Sequence, residues 1–293
     1  PDVTHIEGGS ATVLDSDASL LDPDLEGFDN WAGAILSIAR SGGADSLDEF
    51  VASGTLGALT EGGNLVVDGT NIGTVTTNSN GSLVLTFGSN ATTALANSAF
   101  RQIAYQFAGD APPASITLDY TMNDGNTGGA QGSGGVLTGT GNVIVELQNT
   151  NDAPTSSDAS TTIDEDNSYN FTSGDFSFSD PDTGSSFTSL RIDTLPSGGD
   201  LTLNGMPVTA NQVISVSDIA NLVYTPDANG NGAAYDNFTF SVGDEVGGFA
   251  ATPNQFTINV DPVNDMPGFS DLGGSNPDVT HIEGGSATVL DSD

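Results

Sequence analysis

The sequence predicts an all-β chain made of tandem antiparallel β-sandwich modules. Three observations carry that prediction. Short runs of alternating apolar and polar residues are separated by Gly- and Asn-rich breaks, the pattern of half-buried strands joined by turns. Only 36% of the residues are apolar and 38 are Gly, which suits small turn-rich β domains better than one large core. The chain also repeats itself: residues 1–17, PDVTHIEGGSATVLDSD, return unchanged as residues 277–293. An identity of that length is not chance. The chain therefore reads as one 276-residue period of a longer array followed by the first strand of the next period.

Taken in order, the first module opens with His5 in a strand. Helical stretches are predicted over Asp29–Ile38 and Ser46–Val51. Leu65–Val67, Ile72–Val75 and Leu83–Phe87 read as strands, with turns at Gly62-Gly63-Asn64 and Asn78-Ser79-Asn80-Gly81. Asn90 is placed to cap a helix through Ala91–Ile103, with Leu95, Ala99 and Ile103 on one face. A Tyr-bearing strand follows at Ala104–Phe107, then strands at Ile116–Tyr120 and Val143–Leu147. Asn151-Asp152-Ala153-Pro154 ends the module, because Pro cannot continue a central strand. The second module repeats the order in shorter form. Ser217 caps a turn through Asp218–Leu222, a Tyr-bearing strand follows at Val223–Thr225, and Phe238–Val242 and Phe256–Val260 lead to Asn264-Asp265-Met266-Pro267. The expected divisions are 1–150, 151–267, and a linker plus first strand of the next repeat at 268–293.

Charge excludes several functions. Three Lys+Arg against 39 Asp+Glu give a net charge of −36, which repels nucleic acid and anionic membranes. The basic residues are Arg40, Arg101 and Arg191. With no Lys there is no Schiff base or phosphate-clamping lysine, and with no Cys there are no disulfides, thiolate metal sites or thiol catalysis. No apolar run reaches the ~18 residues of a membrane span, and no secretory signal pattern begins the chain.

The acids themselves are patterned. Thirty-one are Asp and eight Glu, and they collect at module ends; Asp164, Glu165, Asp166, Asp180 and Asp182 are one such group. Like charges ~4 Å apart repel by roughly 1 kcal/mol in water and ~4 at an effective dielectric of 20, so such clusters call for a counter-ion. Calcium accepts six to eight oxygens in flexible geometry, whereas magnesium needs a tight octahedron and zinc needs His or Cys. Calcium fits this donor set best.

The alternating strand before Asn-Asp-x-Pro, the early Glu, the Asp-Pro-Asp at Asp22-Pro23-Asp24 and Asp180-Pro181-Asp182, and the late acid at Asp124 and Asp244 resemble cadherin repeats. They look in particular like the cadherin-like tandem modules of giant bacterial surface adhesins, often secreted with RTX tails. Asn149–Pro154 and Tyr224–Gly232 are phrases typical of that group. The resemblance implies Greek-key, cadherin- or Ig-like β-sandwich modules in an elongated array, with short helical insertions in the first. It also implies calcium at the junctions. By residue, the junction at 149–154 would use Glu7, Asn151, Asp152, Asp180, Asp182 and Asp244. The second would use Glu165, Asp261, Asn264 and Asp265, with its lower ligands beyond Asp293. Asp22, Asp24 and Asp124 would serve a junction with the preceding module. Glu146 and Asn149 depart from the pattern at the first exit, and Gly268–Asn276 lengthens the second linker.

Other features have simpler readings. His5 and its copy His281 have no nucleophile and orienting acid in the pattern, so a packed or surface strand position is expected. The stretch Gly129–Gly135 lacks the Lys of a phosphate loop and reads as a turn. Trp31 near Phe28 suggests a sugar platform or, more simply, a core anchor. Asp22 and Asp24 stand too close in a turn to act as glycosidase acid and base. The expected function is that of a calcium-rigidified extender of a secreted bacterial adhesin, a monomeric stretch whose partners are the neighbouring repeats of its own chain. The alternative is a calcium-dependent module that binds polysaccharide or another cell surface. No enzymatic function is expected.

Overall fold

The computed structural model describes residues 2–126 and 131–266. His281, the second 17-residue copy, the 268–293 linker and part of the Gly129–Gly135 turn lie outside the described residues. The chain divides into two compact units. Of the described residues, the first takes in those up to Thr155 with Phe178–Thr188 and Val242–Ala251; the second comprises Ser156–Ser177, Ser189–Ser241 and 252–266. Two segments that the sequence reading places in the second module thus pack with the first unit.

In the first unit the elements are β1 (Val3–Ile6), β2 (Thr12–Val13), α1 (Pro23–Phe28), β3 (Ile35–Arg40), β4 (Asp48–Ala52), β5 (Asn64–Val67), β6 (Thr70–Ser79), β7 (Ser82–Phe87), α2 (Thr93–Phe100), β8 (Ile103–Phe107), β9 (Ser115–Asn123) and β10 (Thr138–Gln148). Seven strands form one sheet in the order β1-β10-β9-β3-β7-β6-β5, and β2-β8-β4 form another. β1 runs parallel to β10, with Ile6 opposite Gln148; the remaining neighbours in both sheets are antiparallel. Strand alternation buries Leu36, Ile38, Leu83, Leu85 and Phe87 in one core. Trp31 anchors that core, fully buried, with its indole N–H donated to Thr93 Oγ1 at 3.2 Å.

The second unit holds β11 (Ala159–Asp164), β12 (Tyr169–Asn170), β13 (Ser189–Ile192), β14 (Gly199–Leu203), β15 (Met206–Pro207), β16 (Gln212–Ser215), β17 (Leu222–Pro226), β18 (Gly232–Gly243) and β19 (Asn254–Asp261), with 3₁₀ turns at Ser173–Asp175 and Val216–Asn221. Its sheets are ordered β11-β19-β18-β13-β16 and β12-β17-β14-β15. Again the first strand is parallel to the last, with Asp164 opposite Asp261. Edge-to-face and stacked rings of Phe171, Phe176, Phe238, Phe240 and Phe256 fill the space between the strands.

The mostly-β fold agrees with the sequence reading, and four local expectations are corrected. Asp29–Ile38 is not helical: Leu36 and Ile38 alternate inward with period two, making β3, and the short helix lies earlier at Pro23–Phe28. Ser46–Val51 is not a helical turn either, since Asp48 and Phe50 point inward from β4. The cap of α2 is Thr92, whose Oγ1 accepts the Leu95 N–H, while the Asn90 amide donates to Asn71 O; the helix stops at Phe100 and Ile103 begins β8. Ser215, not Ser217, caps the turn before β17.

Candidate metal centre

The first unit gathers most of the acids predicted at its exit. β1 delivers Glu7 one residue beyond its last pair with β10, and Glu7 N–H donates to Gln148 O at 3.0 Å. That register brings the exit segment 149–152 across the carboxylate: Thr150 N–H donates to Glu7 Oε2 at 2.9 Å. Glu7 is only 7% exposed, and its other oxygen, Oε1, is buried with no hydrogen-bond partner. One oxygen each of Glu7, Asp110 and Asp152 lie within 4.8 Å of one another.

Around this trio the remaining acids hold the backbone. Asp182 Oδ2 accepts Asp152 N–H at 2.7 Å, and its Oδ1 accepts the Asn149 amide. Asp180 Oδ1 accepts Asp182 N–H at 2.9 Å, while Asp180 Oδ2 is a second buried oxygen without a partner. Asp244 Oδ2 takes the Asn151 amide at 3.1 Å, and its Oδ1 takes the N–H groups of Val246, Gly247 and Gly248. Glu7, Asn151, Asp152, Asp180, Asp182 and Asp244 are thus drawn into one hydrogen-bonded group.

The electrostatics are those of uncompensated negative charge. Burial pushes the Glu7 carboxyl above its ordinary range; the Thr150 N–H works against this, and the fields of Asp152, Asp182 and Asp110 add to it. Asp152 is raised by burial, then by Asp110, Asp182 and Asp180. Asp244 goes the other way: burial acts upward, but the Asn151 amide and the loop N–H groups outweigh it and hold the carboxyl low. The arginines have described partners elsewhere. Arg40 chelates Asp48 and reaches Asp45, Arg101 holds Ala18 O and Ser19, and Arg191 binds Asp193 and Ser241. A set of carboxylate oxygens, two of them buried and without a partner among the described residues, fits a hard divalent ion. The residues that would hold it are Glu7, Asp110 and Asp152, with Asp180 beside them.

Asp110 was missed by the sequence reading. It lies in Gly109-Asp110-Ala111-Pro112-Pro113, in the loop after the Tyr-bearing strand β8.

The other predicted residues are placed differently. Asp22 caps α1: its Oδ1 accepts the N–H groups of Asp24 and Leu25, with Pro23 opening the helix. Asp24 is exposed. Asp124 is buried and closes its loop by accepting Asn126 and Leu137 N–H through Oδ1. Glu165 is buried, but both its oxygens have protein donors, the Asn231 amide and Val263 N–H. Asp261, Asn264 and Asp265 are exposed and do not converge on it with their side chains among the described residues. His5 is a packed strand residue, accepting Phe107 N–H and lying edge-on to Tyr105. No helix among the described residues is long and apolar enough to cross a membrane.

Residues 151–261 match the bacterial Ig domain family, a kind of module found in extracellular structural and adhesive regions. No curated protein matches the sequence. Among solved structures, the chain is similar to human protocadherin-24 EC1-2, at 13% identity and a TM-score of 0.36, covering 91% of this chain and 95% of that one. It is similar to Drosophila N-cadherin EC1-4, at 13% identity and 0.33, covering 89% and 48%. It is similar to protocadherin gamma B7 cadherin domains 1-4, at 14% identity and 0.33, covering 56% and 37%. The chain therefore spans less than half the length of the last two.

Proposed function

We propose that Glu7, Asp110 and Asp152 bind a calcium ion, and that the chain is an extracellular spacer of a secreted bacterial adhesin whose exit segment is ordered by that ion. The observation that carries this reading is the buried, unpartnered Oε1 of Glu7, a residue whose carboxylate is grouped with two others. The ion would supply positive charge and oxygen coordination, nothing more. The protein's own residues do the rest. Thr150 and Asp152 tie the exit segment to Glu7 and Asp182 by their backbone N–H groups, and the Asn151–Asp244 bond adds a third tie. With the Asn149 amide on Asp182, residues 149–152 are thereby held at four points. In the absence of bound charge, repulsion among Glu7, Asp110, Asp152 and Asp182 works against these ties.

Extracellular modules bind calcium with dissociation constants of ~10⁻⁴–10⁻³ M. At ten times that constant, one site adds about 1.4 kcal/mol to the state that binds. Multiplied along a repeated chain, such sites would turn hinges into stiff joints and hold a distal tip away from the cell. Calorimetric titration with calcium tests the reading: binding is expected in the intact chain and lost in Glu7→Gln. No heat in the intact chain, or unchanged heat in Glu7→Gln, would overturn it. The polysaccharide alternative has less support, because Phe28 is the sole exposed aromatic among the described residues and one ring is no sugar platform.

A further inference from the structure

Glu7 and Glu165 occupy the same place in their respective units. Each follows a first strand that runs parallel to the last, in matching register, Ile6 opposite Gln148 and Asp164 opposite Asp261. Each donates its N–H to the carbonyl of the last strand's final residue, Gln148 at 3.0 Å and Asp261 at 2.9 Å. Each accepts an N–H from two residues further on, Thr150 at 2.9 Å and Val263 at 2.6 Å. Both are more than nine-tenths buried. This register also aligns Asn264-Asp265 with Asn151-Asp152.

They differ at the second oxygen. Glu7 Oε1 has no partner, and the Glu7 carboxylate lies in one group with those of Asp110 and Asp152. Glu165 Oε2 instead accepts the Asn231 amide at 2.8 Å. Asp110 and Asn231 come from corresponding loops, after β8 and before β9 in one unit, after β17 and before β18 in the other. Asn and Asp have nearly the same shape, but one presents an N–H donor and the other a negative acceptor. The amide therefore meets the buried carboxylate with its own positive edge.

We propose that residue 231 decides whether the exit of the second unit takes a divalent cation, and that Asn231 keeps it free of one. The proposal rests on the cation reading of Glu7. An ion entering beside Glu165 would have to displace a donor already in place and would gain a neutral amide oxygen instead of a charged ligand. Affinity in such sites follows ligand charge, so it falls sharply. Substituting Asn231→Asp removes the donor and leaves Glu165 Oε2 beside a second carboxylate, with Asp265 at the register position of Asp152, from which it must turn inward to ligate.

The test is calcium titration of the full chain by calorimetry, with the same proteins melted in chelator and in calcium. The intact chain should bind with an affinity that Glu165→Gln leaves unchanged. Asn231→Asp should add one site, which the further change Glu165→Gln removes. The reciprocal swap, Asp110→Asn, gives Glu7 a donor: calcium affinity there should fall about tenfold or more, while the melting temperature in chelator rises. Because Asp110 is exposed, this variant reads the same principle should Asn231→Asp fold poorly. Loss of an ion from the intact chain on Glu165→Gln, no added site in a folded Asn231→Asp, or unaltered binding in Asp110→Asn would each overturn the proposal. Failure of the Glu7 reading has a different signature, namely an intact chain that binds nothing or a Glu7→Gln variant that binds as before.

Discussion

Arg40 shows what a single side chain must do in a molecule with so little positive charge. Asp48 is 2% exposed and receives two N–H groups from Arg40 and the Tyr105 hydroxyl at 2.6 Å. Burial, then the Asp48 carboxylate, hold the Tyr105 hydroxyl far above its ordinary range, so it stays a donor. Arg40→Ala strands a buried charge, and a loss of about 3 kcal/mol is expected in chemical denaturation of the first unit; a near-neutral result would show that Asp48 is solvated. His5 gives a pH prediction. Burial lowers its value below the usual 6.5, so the fold prefers the neutral ring. The associated stability is present above 6.5 and drains away as pH falls below that value. The melting temperature should therefore drop between pH 7 and 5 by less in His5→Gln than in the intact chain. At this scale the core-anchor reading of Trp31 holds, since its side chain is fully buried. Asp110 was hidden because its role depends on a fold that brings together residues 103, 42 and 70 positions away from it or more, and no local pattern encodes that.

Among the elements, the β6–β7 hairpin is the one where local chemistry dictates the geometry. Asn80 and Gly81 both have positive φ, 50° and 72°, as the tight turn between twisted strands requires. A Cβ on Gly81 would also collide with the carbonyl oxygen of Asp45. Gly81→Ala should cost more than about 1 kcal/mol and lower the melting temperature by several degrees; an unchanged transition would contradict this geometry. At the α1 start, Asp22→Ala removes the acceptor for Asp24 and Leu25 N–H, and a loss of about 1 kcal/mol is expected by the same measurement. The strands were readable because period-two alternation survives in the folded chain at Leu65–Val67, Leu83–Phe87 and Phe256–Val260. The helices were misplaced because short helices depend on caps. Asp22-Pro23 is a better start signal than any residue of Asp29–Ile38, and Ile35, Leu36 and Ile38 are β residues that mimic a helical stripe over so few positions.

For the whole molecule, a net charge of −36 means that folding compresses many like charges. Raising monovalent salt should stabilise both units through screening alone. Calcium should act differently, raising the transition of the first unit at millimolar levels where sodium at equal ionic strength does not. Coincident responses to the two salts in calorimetry would argue against a specific site. The expected division into 1–150 and 151–267 rests on the repeated order of acid, Asp-Pro-Asp, Tyr strand and Asn-Asp-x-Pro. The compact units are not legible in that order, because Phe178–Thr188 and Val242–Ala251 join the first unit through contacts remote in sequence.

In both units the entering strand lies alongside the leaving strand and points the same way, β1 with β10 and β11 with β19. Tension on a tethered chain pulls the start of one against the end of the other, along their shared axis. The hydrogen bonds joining them are then loaded together, in shear, instead of being peeled one at a time. Each such unit would yield only when its whole terminal ladder slips at once.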